Sequence, residues 1–323
     1  MTPILPDIYE ALRLEMPEFQ ERYFPGAEQA PKSSFGDRIA VSGLLSIGNI
    51  CKNHCTYCGL RAPNRSVPRY RLSLDVIKKS IEGIGEQGIR QLFLISGEDP
   101  GLDVDDVLAT IEHASEQGFQ VMLGLGVFSP SVYDEMRDAG ADLYALKFET
   151  SNPEIFSSVK PDISLEGRMQ AVRAIQAAGL KLGSGNIIGL PGEQLSDIAG
   201  DIELMKQLDI AWAPVVPYLP APGTPLAETQ PMGSVERLLK EIALLRIILP
   251  DTLITAGQPS QDSKLGFADP QGTRDALAAG ANLLFVDLTP KEQRDKFAIT
   301  SNRILPRLEG IDKLLDGVKL VRA

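Results

Sequence analysis

The chain has 323 residues, a hydrophobic content of 43% and a net charge of −11 at pH 7. This acidity disfavours a nucleic-acid partner, because an acidic surface repels the phosphate backbone. The sequence contains no run of about 18 apolar residues, so no membrane-spanning segment is expected. The N-terminal segment has acids where a secretory signal would have basic residues, so we expect a cytoplasmic protein.

Helical and strand-like patterns alternate along the chain. An amphipathic helix is predicted over residues 7–22, followed by a loop over residues 24–38 that contains Pro25 and Pro31. Short apolar runs predict eight strands, at residues 39–47, 91–96, 119–125, 143–148, 181–188, 210–218, 253–256 and 282–287. Helical patterns separate or follow them, at residues 74–87, 104–117, 132–139, 165–178, 196–208, 235–247, 272–279 and 303–316.

This strict alternation predicts an α/β fold with a parallel sheet, because each parallel connection needs a crossover helix. Eight such units are the number that closes a (β/α)₈ barrel of the TIM type. We therefore expect one barrel domain over residues 39–323 and a short N-terminal helical extension over residues 1–38. The proline-rich stretch 214–225 follows a predicted strand and is expected to form a rigid loop over the barrel mouth.

The three cysteines of the chain, Cys51, Cys55 and Cys58, stand in one loop directly after the first predicted strand. Thiolates are the ligands that iron–sulfur clusters prefer. A cubane [4Fe–4S] cluster usually takes four cysteines, so one iron would stay open to bind another molecule.

Other sites are compatible with these residues. With His54 the cysteines could form a Cys₃His zinc site, which would make the chain a zinc-stabilised barrel that binds a ligand without redox chemistry. Such a site would draw four ligands from eight residues, whereas structural zinc sites usually use two separated segments. A disulfide would leave one thiol unpaired.

The C-x₃-C-x₂-C spacing, with Tyr57 just before the last cysteine, resembles the signature of the radical S-adenosylmethionine (SAM) superfamily. The resemblance implies a [4Fe–4S] cluster on the three cysteines and SAM on the open iron. An electron from a donor such as flavodoxin or ferredoxin would then cleave SAM to methionine and a 5′-deoxyadenosyl radical. That radical would take a hydrogen atom from a small substrate.

Two further segments extend the resemblance. Residues 96–99 (SGED) are similar to the superfamily's GGE element, in which Gly97 lets the backbone approach a ligand and Glu98 binds the SAM amino group. Residues 183–193 are similar to its GxIxGxxE element, with the acid one place late. The resemblance assigns four residues of this segment to SAM: Ser184, Asn186, Gly189 and Leu190.

Two charged residues complete the SAM site that the resemblance implies. Glu149, at the end of the fourth predicted strand, would accept hydrogen bonds from the ribose diol. Arg168, early in a predicted helix, would hold the methionine carboxylate, because a guanidinium suits planar bidentate recognition. Without the resemblance, the sequence is also compatible with an exposed loop acid at Glu149 and a surface arginine at Arg168.

Longer stretches resemble the branch of the superfamily that contains biotin synthase, HydE and PylB, and the resemblance to HydE-type maturases is the strongest. SIGNICKNHCTYCGLR, FETSNPEIF and AAGANLLFVDLTP are among them. The cysteines of a second cluster are absent from the sequence, so sulfur insertion of the biotin synthase kind is not expected. The arginine that helps PylB to bind its amino acid substrate is also absent from residues 213–215.

We therefore expect a small substrate, amino-acid-derived or a cofactor precursor, in a HydE-like reaction. A PylB-like methylornithine synthase or carbon-skeleton mutase is the alternative. Lys147 falls where HydE has an arginine in its substrate cavity. Thr255 and Gln258 would add polar lining and Phe148 and Tyr218 walls, although ordinary barrel packing explains the same residues.

Overall fold

The computed structural model describes residues 7–30, 38–261, 264–300, 305–308, 310–311 and 321–322. The strands of this part are β1 (Arg38–Ser46), β2 (Gln91–Ile95), β3 (Gln120–Gly124), β4 (Ala141–Ala145), β5 (Lys181–Gly183), β6 (Ile187–Ile188), β7 (Trp212–Ala213), β8 (Val216–Pro217), β9 (Leu253–Ile254), β10 (Leu283–Asp287) and β11 (Val321–Arg322).

The helices of the same part lie between these strands or precede them. They are α1 (Ile8–Arg13), α2 (Met16–Gln29), α3 (Leu74–Glu86), α4 (Val104–Glu116), α5 (Pro130–Asp138), α6 (Pro153–Val159), α7 (Leu165–Ala177), α8 (Leu195–Gln207), α9 (Val235–Ile248), α10 (Pro270–Ala278) and α11 (Lys291–Arg294). None of them combines the length and apolarity needed to cross a membrane.

Eight parallel strands form a nearly closed barrel, which confirms the predicted fold. Their order around the barrel is β10-β1-β2-β3-β4-β5-β7-β9. A bridge between Thr255 and Leu283 brings β9 next to β10. The carboxyl ends of all eight strands therefore meet at one mouth, which is where barrels of this kind place their chemistry.

Aromatic side chains fill the barrel below that mouth. The rings of Phe93, Trp212 and Phe285 lie 5.0 to 5.4 Å apart between centroids. They belong to an apolar cluster with inward-facing residues of β1, β3 and β4. The barrel interior is thus a packed core that closes any cavity at the mouth from below.

The N-terminal prediction was wrong in detail. Instead of one helix over residues 7–22 and a loop over 24–38, the chain breaks after Arg13 and α2 continues through Pro25 to Gln29. Burial explains the difference: Phe19 and Ala27 are fully buried, and Lys240 of α9 donates to the carbonyl of Leu14. Packing against α9 therefore outweighs the helix-breaking tendency of an internal proline.

Two predicted strands, 181–188 and 210–218, are each divided. In both, the first part joins the barrel as β5 or β7, and the second part pairs separately as β6 with β8. Pro214 stands at the second break and has no N–H for a sheet ladder. The small β6–β8 sheet continues beyond the barrel mouth. The last predicted helix, at 303–316, lies largely outside the described residues.

Candidate active site

The loop that carries the cysteines, residues 47–72, connects β1 to α3 at the barrel mouth. The Asn49 side chain donates to the carbonyls of Pro68 and Lys296 at 2.8 and 2.7 Å. The Arg69 guanidinium donates to four loop carbonyls at 2.7 to 3.0 Å, those of Asn49, Leu60, Arg61 and Asn64. Because the loop has little regular secondary structure, these bonds determine where its cysteines lie.

The three cysteines carry free thiols, and Cys55 is buried. Burial raises the pKa of Cys51, and it raises the pKa of Cys58 to about 12. The Cys51 and Cys58 thiols therefore stay protonated at neutral pH until a soft metal centre replaces the protons. Three sulfurs in one rigid loop are a donor set that suits an iron–sulfur cluster, in which each cysteine binds a separate iron.

His54 lies between the cysteines in sequence but interacts elsewhere. Its Nδ1 is 2.8 Å from Asp162 Oδ1, and its side chain is 52% exposed. Within the described ranges, no group of three or more His, Cys, Asp or Glu residues is arranged to hold a single metal ion. The pairing of His54 with Asp162 therefore disfavours the Cys₃His zinc alternative, in which the His54 ring would bind the ion together with the three cysteines.

The segment after β2 lies against the cysteine loop. A Cβ atom on Gly97 would lie 2.2 Å from the carbonyl oxygen of Ile50 and 2.9 Å from Cys51 Cβ, so only glycine permits this approach. Glu98 accepts a hydrogen bond from Asn53 Nδ2 at 3.0 Å, and its other oxygen is 3.0 Å from Lys52 Nζ. The structure thus brings Gly97 and Glu98 next to the cysteines.

Glu149 lies at the centre of a buried charge cluster. Tyr57 donates to its Oε1 at 2.8 Å, Lys160 Nζ is 3.6 Å from Oε1, and Lys147 Nζ is 3.7 Å from Oε2. Burial alone would raise the pKa of Glu149, but the charges of Lys147, Lys160 and Arg168 outweigh it and lower that pKa below its ordinary value. Glu149 is therefore ionised and ready to accept hydrogen bonds.

Sequence reasoning missed Lys160. Its side chain is 9% exposed, and its Nζ donates to Cys55 Sγ at 3.6 Å and to the Tyr57 oxygen at 3.3 Å. The only local signal is the following Pro161, which favours the end of a helix at this position. The contacts themselves depend on how α6 folds back onto the cysteine loop, and a sequence pattern does not show that.

Arg168 is 3% exposed on α7. Among the residues that the structure describes, its Nε finds no hydrogen-bond partner. A buried guanidinium nitrogen without a partner is costly, so an anionic ligand at this position would be stabilising. This unpaired donor fits the carboxylate that the sequence resemblance assigns to Arg168.

Residues 183–193 form the part of the barrel wall that lies beside Glu149. Ser184 Oγ donates to the carbonyl of Leu146 at 2.8 Å, and Asn186 Nδ2 donates to Asp201 at 2.9 Å. Gly189 has a φ of 93°, and its N–H donates to the Glu193 carboxylate at 2.9 Å. Leu190 is buried in an apolar cluster against which Tyr57 packs. The side chains of Ser184 and Asn186 are thus engaged within the wall.

A cavity of about 330 Å³ opens between the cysteine loop and the aromatic core. Its lining is mainly apolar and includes Phe93, Trp212 and Ile187. The lining side chains that can donate or accept hydrogen bonds are Tyr57, Cys58, Ser96, Lys147, Glu149, Trp212, Tyr218 and Thr300. Three of the residues expected to bind the cluster or SAM, Tyr57, Cys58 and Glu149, thus line this cavity.

Of the predicted substrate residues, Lys147 and Tyr218 line the cavity, whereas Phe148, Thr255 and Gln258 do not. Because side chains alternate along an extended chain, Phe148 points away from the side of Lys147 and Glu149, and it packs in the main core. Thr255 accepts from Trp212 Nε1 at 3.0 Å. Gln258 donates to the carbonyls of Val215 and Thr255.

Comparisons with known proteins identify the family and the fold. Residues 45–205 match the family model described as the Radical SAM superfamily. The [FeFe] hydrogenase maturase subunit HydE of Thermotoga maritima is 31% identical over 295 residues, which cover 91% of this chain and 83% of that protein. The 3-methylornithine synthase of Methanosarcina acetivorans is 27% identical over 319 residues, covering 97% and 88%.

Among solved structures, the crystal structure of methylornithine synthase (PylB) superimposes with a TM-score of 0.86 and 24% identity. The match covers 99% of this chain and 95% of that one, and it shows a common fold. The range of the family model contains the cysteine loop, Glu98, Glu149 and Arg168, whereas Tyr218 lies beyond it.

Proposed function

The chain belongs to the radical SAM superfamily, and we propose that Cys51, Cys55 and Cys58 hold its [4Fe–4S] cluster while SAM lies over the barrel cavity. It is an enzyme that acts on a small substrate. Together, the bound cluster and SAM supply one-electron cleavage of the sulfonium and a 5′-deoxyadenosyl radical for hydrogen abstraction. The observation that carries the site assignment is the placement of three free thiols in one loop beside Glu98, with Cys58 and the charged Glu149 lining the same cavity.

Four side chains orient SAM in this proposal. The Glu98 carboxylate binds the SAM amino group next to Gly97, and the unpaired Nε of Arg168 binds the methionine carboxylate. Glu149 accepts hydrogen bonds from the ribose diol, and its bond from Tyr57 fixes its orientation. The wall segment with Ser184, Asn186, Gly189 and Leu190 supports the adenosine side through its backbone.

The inner part of the cavity receives the substrate. Lys147 and Tyr218 supply polar contacts there, and the apolar lining excludes water, which protects a reactive intermediate from side reactions. We propose that the substrate is amino-acid-derived or a cofactor precursor, and that a small electron-transfer protein such as flavodoxin or ferredoxin supplies the electron. Residues 1–38 would then be an extension outside the catalytic barrel of residues 39–323.

The experiment that tests this proposal is anaerobic reconstitution with iron and sulfide, followed by reduction with dithionite in the presence of SAM. We expect about four irons per chain, as a [4Fe–4S] cluster requires, and formation of 5′-deoxyadenosine. A protein that binds zinc instead of iron, or that binds iron at residues other than the three cysteines, would contradict the proposal.

For the reaction we propose HydE-like chemistry, which the 31% identity over 91% of the chain supports. Restoration of hydrogenase activity in a strain without its own HydE tests this assignment. The 27% identity to 3-methylornithine synthase over 97% of the chain supports the second candidate. Restoration of 3-methylornithine formation in a strain without that synthase would favour it over the first.

A further inference from the structure

We propose that Lys160 sets the reduction potential of the iron–sulfur cluster, because it holds a buried positive charge against the sulfur of Cys55. The inference rests on the proposed function, since it requires a cluster on the three cysteines. It concerns a residue that neither the cysteine signature nor the SAM-binding elements contain. Lys160 acts on the cluster through its positive charge and does not itself react.

The fold places Lys160 through a short helix. Asn152 caps the start of α6 by accepting from the N–H groups of Glu154 and Ile155. The helix ends at Val159, since Pro161 disfavours helical conformation at the residue before it; Lys160 has φ −130° and ψ 74°.

The segment around Lys160 is fastened to the cysteine loop on both sides. The carbonyl of Val159 accepts from Thr56 N–H at 2.9 Å. Asp162 accepts from the His54 N–H and contacts its ring. These bonds hold Lys160 Nζ 3.6 Å from Cys55 Sγ.

A charge at this distance changes the energy of the reduced cluster. Reduction transfers one electron from an external one-electron donor to the cluster, so the cluster and its thiolates become more negative. The Lys160 side chain is 9% exposed, and a buried charge is screened little by solvent and salt. Hydrogen bonds to ligating sulfurs and local net charge are among the features that set cluster potentials. Lys160 therefore favours the reduced form.

The negative charge of the rest of the molecule disfavours the reduced form of the cluster. The chain has a net charge of −11, and Glu98 and Glu149 lie beside the cysteine loop. A net negative surrounding makes the addition of an electron less favourable. The Lys160 ammonium group offsets this effect, because it lies only 3.6 Å from the sulfur of Cys55.

Pairing with Glu149 is the alternative role for Lys160, and the structure offers a matched control for it. Lys147 and Lys160 approach the two oxygens of Glu149 at 3.7 and 3.6 Å. Both are largely buried lysines, but the contact to a cysteine sulfur is made by Lys160. A comparison of the two lysines therefore separates the effect on the cluster from the effect on Glu149.

The test is a redox titration of the reconstituted full-length protein without SAM, followed by EPR. Lys160→Met and Lys160→Gln remove the charge, Lys160→Arg keeps it, and Lys147→Met is the control. We expect the two neutral variants to lower the equilibrium constant for cluster reduction at least tenfold, a shift of about 59 mV to more negative potential for a one-electron couple. Lys160→Arg should stay near the wild type, and Lys147→Met should shift much less.

Several results would overturn the inference. A neutral Lys160 variant that carries the full iron content and titrates like the wild type would do so, as would an equal shift in Lys147→Met. If neither neutral variant acquires iron, the cation is needed to build the cluster, and the inference also fails. A wild-type protein that binds no cluster would instead contradict the proposed function, so the two failures are distinguishable.

Discussion

Single charged side chains determine what the site can bind. Around the cysteines and the cavity the structure places charged side chains of both signs, among them Glu98, Glu149, Lys52, Lys147, Lys160 and Arg168. The cations among them match the thiolates of a cluster and the carboxylate of SAM, because buried charges need partners of opposite sign.

Replacing one cysteine should abolish the cluster. In Cys58→Ala we expect loss of iron and of 5′-deoxyadenosine formation together, since an iron that loses its thiolate destabilises the whole centre. Iron analysis and product chromatography measure both. His54→Ala is the control and should keep the iron, because His54 pairs with Asp162. Loss of metal in His54→Ala with retention in Cys58→Ala would refute the assignment.

Removing the guanidinium of Arg168 should weaken SAM binding. Hydrogen bonds to charged groups contribute about 1.5–3 kcal/mol, so Arg168→Met should raise the dissociation constant of SAM roughly 10- to 100-fold while the iron content stays unchanged. Equilibrium binding to the reconstituted protein measures this effect. Arg173→Met, on the exposed face of the same helix α7, should bind like the wild type; equal losses in the two variants would contradict the role of Arg168.

Among the secondary-structure elements, the hydrophobic pattern of the sequence predicted those whose formation depends on neighbouring residues in the chain. The apolar runs of β1 to β4 and β10 predicted the barrel, because buried parallel strands are continuously hydrophobic. The breaks that create β6 and β8 were not predicted, since they depend on pairing between segments that are about thirty residues apart (Ile187 with Val216). Lys160 was missed for the same reason: its partners Cys55 and Tyr57 come from a different βα unit.

Glycine at the end of β2 should be essential for the cysteine loop. In Gly97→Ala the new Cβ would meet the backbone of Ile50 at 2.2 Å, and a backbone contact cannot be relieved by a side-chain rotation. We expect a loss of about 1–3 kcal/mol or more of stability and poor cluster assembly, measured by thermal unfolding and iron content.

The control for that variant lies on a neighbouring helix. Gly83 lies within α3, where an added Cβ would meet nothing within 4 Å. Gly83→Ala should therefore stabilise the protein by about 0.5–1 kcal/mol, because alanine restricts the unfolded chain and favours the helix. Similar destabilisation in both variants would show that close approach at Gly97 is not the cause.

For the whole molecule, the barrel provides a packed base and leaves the chemistry to its mouth. The aromatic core below the cavity is fixed by β2, β7 and β10, while the cysteine loop and the β6–β8 sheet surround the opening. Buried carboxyl groups also lie outside the cavity, at Glu193 just before α8, at Asp201 on α8 and at Glu241 on α9. Burial raises the pKa of each of them, so the stability of the fold depends on pH.

Stability of the metal-free protein should fall as the pH rises from about 4.5 to about 7. Burial raises the pKa of Glu193 from an ordinary 4.5 to about 7, so between these values the folded protein binds more protons than the unfolded chain, and the free energy of unfolding decreases with pH. The contribution of Glu193 is up to about 3 kcal/mol. Glu193→Gln should therefore flatten the dependence of the melting temperature on pH between 5 and 8, since glutamine does not titrate and can still accept from Gly189.

Glu203→Gln, a half-exposed position on α8, should keep the wild-type slope. If Glu193→Gln also kept that slope, the buried carboxyl would not be the group that titrates.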